Sequence, residues 1–356
     1  MDDVGIDAEE LERRFEAAVR ELREWRVADE SGDDDLAWQR LRFAAEAGPP
    51  AADAALGKLS SPDPAVRATA CDLLRVVCEQ FEPSREATVV ALLDLAREET
   101  DTDVQVSIAY AFGATNDARG IPVLVGLARH PDPDIRLAAA HSLPATMLVS
   151  VELQGVRALI ELTGDTDDDV RNWATFGLGR QIDADNPEIR TALWARVHDA
   201  HTETREEAIA GLARRREPRA LPLVLGLLES GEVPTWIFEA AAYLADPSLV
   251  EILRTYGEDD SSVAHALAFC DPMQRARVDR ARAELLVEIQ RRLTERFPGA
   301  HAALERDLLE LDVTLIVTFA DGETVAGSPD GILAARDGDA VAAANGFVDL
   351  LEHPRR

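Results

Sequence analysis

Asp132-Pro133-Asp134-Ile135-Arg136, with Ala139 three positions on, carries the chemistry of a helix start. An aspartate carboxylate accepts from the otherwise unpaired amides of a helix's first turn. Proline at the first helical position gives up an N–H that has no helical partner there. Ile135, Ala139 and Leu143 then recur at helical spacing. The stretch predicts a capped helix that starts at Pro133.

The pattern repeats along the chain. It returns as Asp63-Pro64-Ala65-Val66-Arg67 with Ala70, and as Asp167-Asp168-Asp169-Val170-Arg171 with Ala174. Looser copies are Asp101-Thr102-Asp103-Val104-Gln105 and His201-Thr202-Glu203-Thr204-Arg205 with Ala208. The arginine positions 67, 105, 136, 171 and 205 are 38, 31, 35 and 34 residues apart, which fits two helices and two turns per unit. Second helices begin at Arg119-Gly120-Ile121-Pro122, Arg219-Ala220-Leu221-Pro222 and Asp246-Pro247-Ser248-Leu249, with a weaker copy at Gly155-Val156-Arg157. Proline is again confined to the first turn.

These segments resemble HEAT repeats of the short type first described in phycobilisome lyases, over roughly residues 50 to 256. The resemblance implies a mainly α fold, a right-handed α-solenoid of helical hairpins. Proteins with such repeats include bilin lyases, a di-iron protein hydroxylase, a DNA-alkylation repair group and non-catalytic scaffolds. No His here is followed by Glu, so the His-Glu ligand pairs of the hydroxylase are missing. The repair group needs a positive groove, and a formal net charge of −30 opposes one.

The expected organisation has four parts. Residues 1–49 form an N-terminal helical cap, with Leu11, Phe15, Ala18, Leu22 and Trp25 on one stripe and an acidic loop over 29–35. Residues 50–256 are the repeats. Residues 257–311 are further helices, over 274–297 and 299–311. Residues 312–356 are a small α/β tail. There Val313, Leu315, Val317 and Phe319 alternate as a strand, Asp321-Gly322 reads as a two-residue turn, and a helix runs from Asp339 to Leu351. A lone hairpin is marginal in water, so these strands need a partner surface.

Composition narrows the function. The chain has 67 acidic and 37 basic residues, a field that repels nucleic acid and anionic membranes and favours a protein partner, a basic one first. No apolar run approaches the about 20 residues of a membrane span, and a cytoplasmic location is expected. Cys71, Cys78 and Cys270 lack ligand spacing and read as buried thiols. Asp165, Asp167 and Asp169 alternate like a calcium loop, but Val170 and Phe176 stand where it needs Gly and Glu. Gly177-Leu178-Gly179 sits within a repeat helix and reads as close packing. No catalytic residue, cofactor or metal is expected.

The function expected is a non-catalytic interaction scaffold. An accessory to prosthetic-group attachment and an acidic inhibitor or immunity protein for a basic target are the alternatives. With the second helices taken to line the concave face, the expected contact residues are Arg157, Glu161, Arg190 and Trp194, with Trp194 as anchor.

Overall fold

The computed structural model describes residues 7–27, 34–147, 151–231, 233–257, 259–306 and 309–351. The chain divides into two compact units, Met1–Ala208 and Ile209–Arg356.

In the first unit, α1 (Ala8–Val27), α2 (Asp34–Ala45) and α3 (Pro49–Lys58) precede the repeats. Leu11, Phe15, Ala18 and Leu22 are buried as the stripe requires, and α1 packs on α2 and α4. The side chains of Trp25 and of the acidic stretch 29–35 lie outside the described residues. First helices are α4 (Pro64–Gln80), α6 (Thr102–Thr115), α8 (Pro133–Thr146) and α10 (Asp168–Phe176), the last prolonged by a π-turn over Gly177–Gln181. Second helices are α5 (Arg85–Leu95), α7 (Ile121–Leu127), α9 (Leu153–Leu162) and α11 (Pro187–Trp194); α12 starts at Thr202.

The expected capping is present. Asp63 accepts from the Ala65 amide, Asp132 from Asp134, and Asp167 from Asp169 and Val170. Pro64 and Pro133 occupy the first turn. Consecutive first helices pack side by side because small residues sit between them. A Cβ on Gly113 would stand 3.1 Å from the Ser142 Cβ, and one on Gly177 only 2.7 Å from the Pro144 ring. The Gly177 segment is thus a close-packing element.

The recurring arginines stitch neighbouring units together. The Arg67 Nε and Nη2 donate to both Glu99 oxygens at 2.7 and 3.0 Å, and those of Arg136 to both Asp165 oxygens at 2.7 and 2.8 Å. Those of Arg171 reach both Asp199 oxygens at 3.3 and 3.1 Å. Each carboxylate also accepts the amide of the residue that opens the next first helix: Asp101, Asp167 or His201. Each arginine in turn donates Nη1 to a carbonyl of its own preceding loop. One step breaks the series as a pair. Gln105 replaces the arginine, and His130 stands where the carboxylate would be, its Nδ1 accepting the Asp132 amide. The charge is dropped on both sides at once, so neither is left buried alone.

The second unit carries helices α13 (Leu221–Glu229), α14 (Trp236–Leu244), α15 (Val250–Arg254) and α16 (Ser261–Cys270), then the long α17 (Pro272–Arg296). A three-stranded antiparallel sheet follows, ordered β1 (His301–Glu305), β2 (Thr314–Thr318), β3 (Thr324–Gly327), with α18 (Pro329–Ala334) and α19 (Ala340–Leu350) after it.

Two expectations for the part after residue 257 need correction. Residues 301–305 form a strand, not a helix. His301 to Glu305 pair with Thr318 to Thr314, so pairing overrides the helical preference of an alanine-rich segment. The turn has three residues, Ala320 to Gly322. The Phe319 amide donates to Glu323 O at 2.8 Å, and Gly322 takes the left-handed φ of 87° that closes such a loop. The added strand and a helical floor answer the hairpin's need for support. Leu315 and Val317 point into a core with Leu285, Ile289 and Leu293 of α17 and Ala344 and Val348 of α19.

Candidate functional site: an aromatic and arginine row on the first helices

The repeat register decides which side chains line up. Six residues after the β-branched residue of the motif stand Tyr110 on α6, His141 on α8 and Phe176 on α10, and three after it stands Trp173. Positions that match in successive packed repeats fall beside one another, so these rings come into contact. Tyr110 meets His141 edge-on at 5.2 Å between centroids. His141 lies 4.5 Å from Trp173, and Trp173 lies 5.7 Å from Phe176.

Arginines flank the rings from Tyr110 to Phe176 on both sides, and Trp38 lies beyond the first of them. The Arg75 guanidinium on α4 sits 5.0 Å from the Tyr110 ring centre and 5.3 Å from that of Trp38 on α2. The Arg180 guanidinium lies 6.0 Å from the Phe176 ring. All three distances are within the range in which a guanidinium is attracted to a ring face. The row therefore runs Trp38, Arg75, Tyr110, His141, Trp173, Phe176, Arg180 across four repeats. Every member is half-buried, with part of each side chain left open to solvent.

A groove of about 290 Å³ opens along the row between Arg75, Tyr110, Asn116, His141 and Ser142. The Ser142 Oγ is buried and has no hydrogen-bond partner among the described residues. Burial pushes the Tyr110 hydroxyl pKa up. Burial first, and then the Arg75 charge, hold the His141 imidazole below its usual range. At neutral pH the positive charge of the row thus belongs to Arg75 and Arg180.

Carboxylates border the row. Asp103, Asp134, Asp169 and Glu203 each stand one residue before the β-branched position, and all four are exposed. Asp103, Asp134 and Asp169 precede Tyr110, His141 and Phe176 by two helical turns on the same helices. The Asp134 carboxyl is raised above its ordinary pKa, by burial first and then by Asp132, Asp167 and Asp103. Asp103 is raised too, by burial first, then by Asp101 and Asp132 against the Arg26 charge.

The four residues picked from the sequence lie on the other layer. Arg157 on α9 is exposed. Glu161 is held by the Arg129 guanidinium at 2.9 Å. Arg190 grips Asp185 at 2.7 and 2.8 Å, and Trp194 is half-buried on α11. Aligning the repeats by residue number and reading the solvent side of the first helices would have exposed the aromatic column.

Among the described residues no cluster of three or more His, Cys, Asp or Glu could hold a metal ion, and no helix is long and apolar enough to cross a membrane. Asp165 is occupied by Arg136 and Asp167 by its helix start. The three cysteines are free and buried.

The sequence profile of HEAT repeats matches residues 89–179 and 156–245. The chain carries HEAT repeats. The chain is 28% identical over 200 residues to Protein YibA of Escherichia coli K12, and equally to its counterpart in Escherichia coli O157:H7. Those alignments take in 56% of this chain and 58% of YibA, so the chain spans little more than half the length of these relatives. The X-ray structure of Escherichia coli YibA superposes with a TM-score of 0.52 at 23% identity, over 74% of this chain and 95% of that one, a likeness of fold. A HEAT array is a repeat scaffold of the kind typical of protein interaction.

Proposed function

We propose that this chain is a non-catalytic docking protein whose first-helix face holds a basic, extended segment of another protein. The observation that carries the proposal is the aromatic row from Trp38 to Phe176, with an exposed carboxylate two helical turns before its rings on each of α6, α8 and α10. Arginine or lysine side chains of the partner pair with Asp103, Asp134, Asp169 and Glu203. Their aliphatic stems lie on the half-exposed rings. The Ser142 Oγ supplies one further hydrogen bond to a group entering the groove. The net charge of −30 speeds encounter with a basic body, and that gain fades as salt rises. Inhibition of a basic target would be the same contact with a functional consequence, and a cytoplasmic setting suits it.

Arg157, Glu161, Arg190 and Trp194 are the competing docking set. Glu161 and Arg190 already hold intramolecular ion pairs, which a partner would have to displace. Capture from native lysate separates the two faces. The full chain, the double variant Tyr110→Ala with Trp173→Ala, and Trp194→Ala are compared at low and high salt. A basic partner kept by Trp194→Ala and lost by the double variant supports the proposal. The reverse pattern, or no partner that depends on either face, contradicts it.

A further inference from the structure

The second unit holds a cavity of about 560 Å³, within the size range of small-molecule sites. Its walls come from α14, α16, α17 and α18 with residues 306 and 311. Its charge is unlike that of the chain. Four arginines line it, Arg216, Arg275, Arg282 and Arg306, against two carboxylates, Asp279 and Asp330. Phe269, Val278 and Leu311 give it an apolar side.

The arginines are not equivalent. Arg282 is spent internally: its Nε and Nη2 bind both oxygens of Asp330, and Asp279 stands 3.8 Å away. Arg275 has no carboxylate within ion-pair distance among the described residues. One Nη donates to the Ala245 carbonyl at 3.1 Å, and its Nε is buried with no acceptor. Leaving a charged donor buried without an acceptor costs more than leaving it in water, so an anion that reaches the Nε relieves a standing penalty. Arg306 is exposed, and it too has no carboxylate within ion-pair distance among the described residues. At physiological salt, charges beyond about 8 Å are largely screened. A small anion inside the cavity therefore responds to these arginines and not to the distant acidic surface.

We propose that this cavity binds a small organic anion. A carboxylate, sulfonate or phosphate head pairs with Arg275 and Arg306, and an apolar or aromatic body lies against Phe269 and Leu311. The planar fork of arginine suits such heads. The site is separate from the docking face and does not depend on it.

The test uses the full chain and 8-anilinonaphthalene-1-sulfonate, an aromatic sulfonate whose emission rises in apolar surroundings. The neutral N-phenyl-1-naphthylamine serves as its control. The expected result is one saturable sulfonate site per chain, with the neutral probe at least about tenfold weaker. Arg275→Gln and Arg306→Gln should each weaken the sulfonate by about tenfold or more, with the fold of each variant checked by circular dichroism. Arg306 is exposed, so its variant keeps the test sharp if Arg275→Gln fails to fold. Absence of saturable binding, equal binding of the neutral probe, or unchanged affinity in every folded variant would overturn the proposal.

Discussion

Arg136 and Asp165, 29 residues apart, meet in a two-pronged ion pair at 2.7 and 2.8 Å, and the same carboxylate accepts the Asp167 amide. One contact thus ties a first helix to the loop that opens the next. Burial raises the Asp165 carboxyl, but the Arg136 hydrogen bond and the backbone amides outweigh it and hold the group below its ordinary range. The pair is mostly buried, with side-chain exposures of 14% and 9%, so removing one partner strands the other.

Arg136→Gln alone and Asp165→His alone should each destabilise the array by about 2 kcal/mol. Made together they recreate the uncharged combination of Gln105 and His130, and the loss should be smaller than the sum by at least about 1 kcal/mol, because neither charge is then left buried alone. Urea unfolding of the four proteins measures this coupling. Strict additivity would mean the paired replacement at residues 105 and 130 has no energetic logic.

Gly177→Ala and Gly126→Ala should differ in sign. A Cβ on Gly177 lands 2.7 Å from the rigid Pro144 ring, which predicts a loss of about 1 to 3 kcal/mol. A Cβ on Gly126 meets nothing within 4 Å, so alanine in α7 should add about 0.5 kcal/mol. Thermal midpoints of the two variants decide it.

The His141 pKa is depressed in the folded protein, so the unfolded chain takes up its proton first. Its contribution to stability is complete above the unfolded value of about 6.5 and is lost as pH falls through 6.5 toward the folded pKa. Wild type should therefore lose more stability between pH 7.5 and 5.5 than His141→Gln does. Asp103 and Asp134, with raised folded pKa, act in the opposite sense. Their effect runs from the raised folded pKa down through the unperturbed value of about 3.9, and it is common to both proteins, so the comparison isolates His141. Equal pH dependence of the two proteins would contradict the burial argument for His141.

What the sequence made legible was local chemistry. Asp132, Pro133 and Ile135 lie within one helical turn, and their cap and spacing need no knowledge of the rest of the chain. The alternation of Leu315 and Val317 marked β2 for the same reason. What escaped was set by distant neighbours. Residues 301–305 become a strand only because β2 offers a partner, and alanine gives no hint of it. The arginines recurred visibly, but Asp165 and Asp199 could not be named as their partners before the loops were placed. The aromatic column was hidden because Tyr110, His141, Trp173 and Phe176 differ in type and stand far apart in sequence. Only the packed repeat register brings them together.

Binding of a basic, extended chain by the first-helix face is measured by fluorescence anisotropy of a labelled peptide of alternating arginine and alanine, titrated with the protein. Saturable binding is expected that weakens as salt rises, falls by about tenfold or more in the Tyr110→Ala, Trp173→Ala double variant, and is unchanged in Trp194→Ala. Equal affinity for wild type and the double variant would show that the peptide answers only to net charge, and would contradict the assignment of the aromatic row.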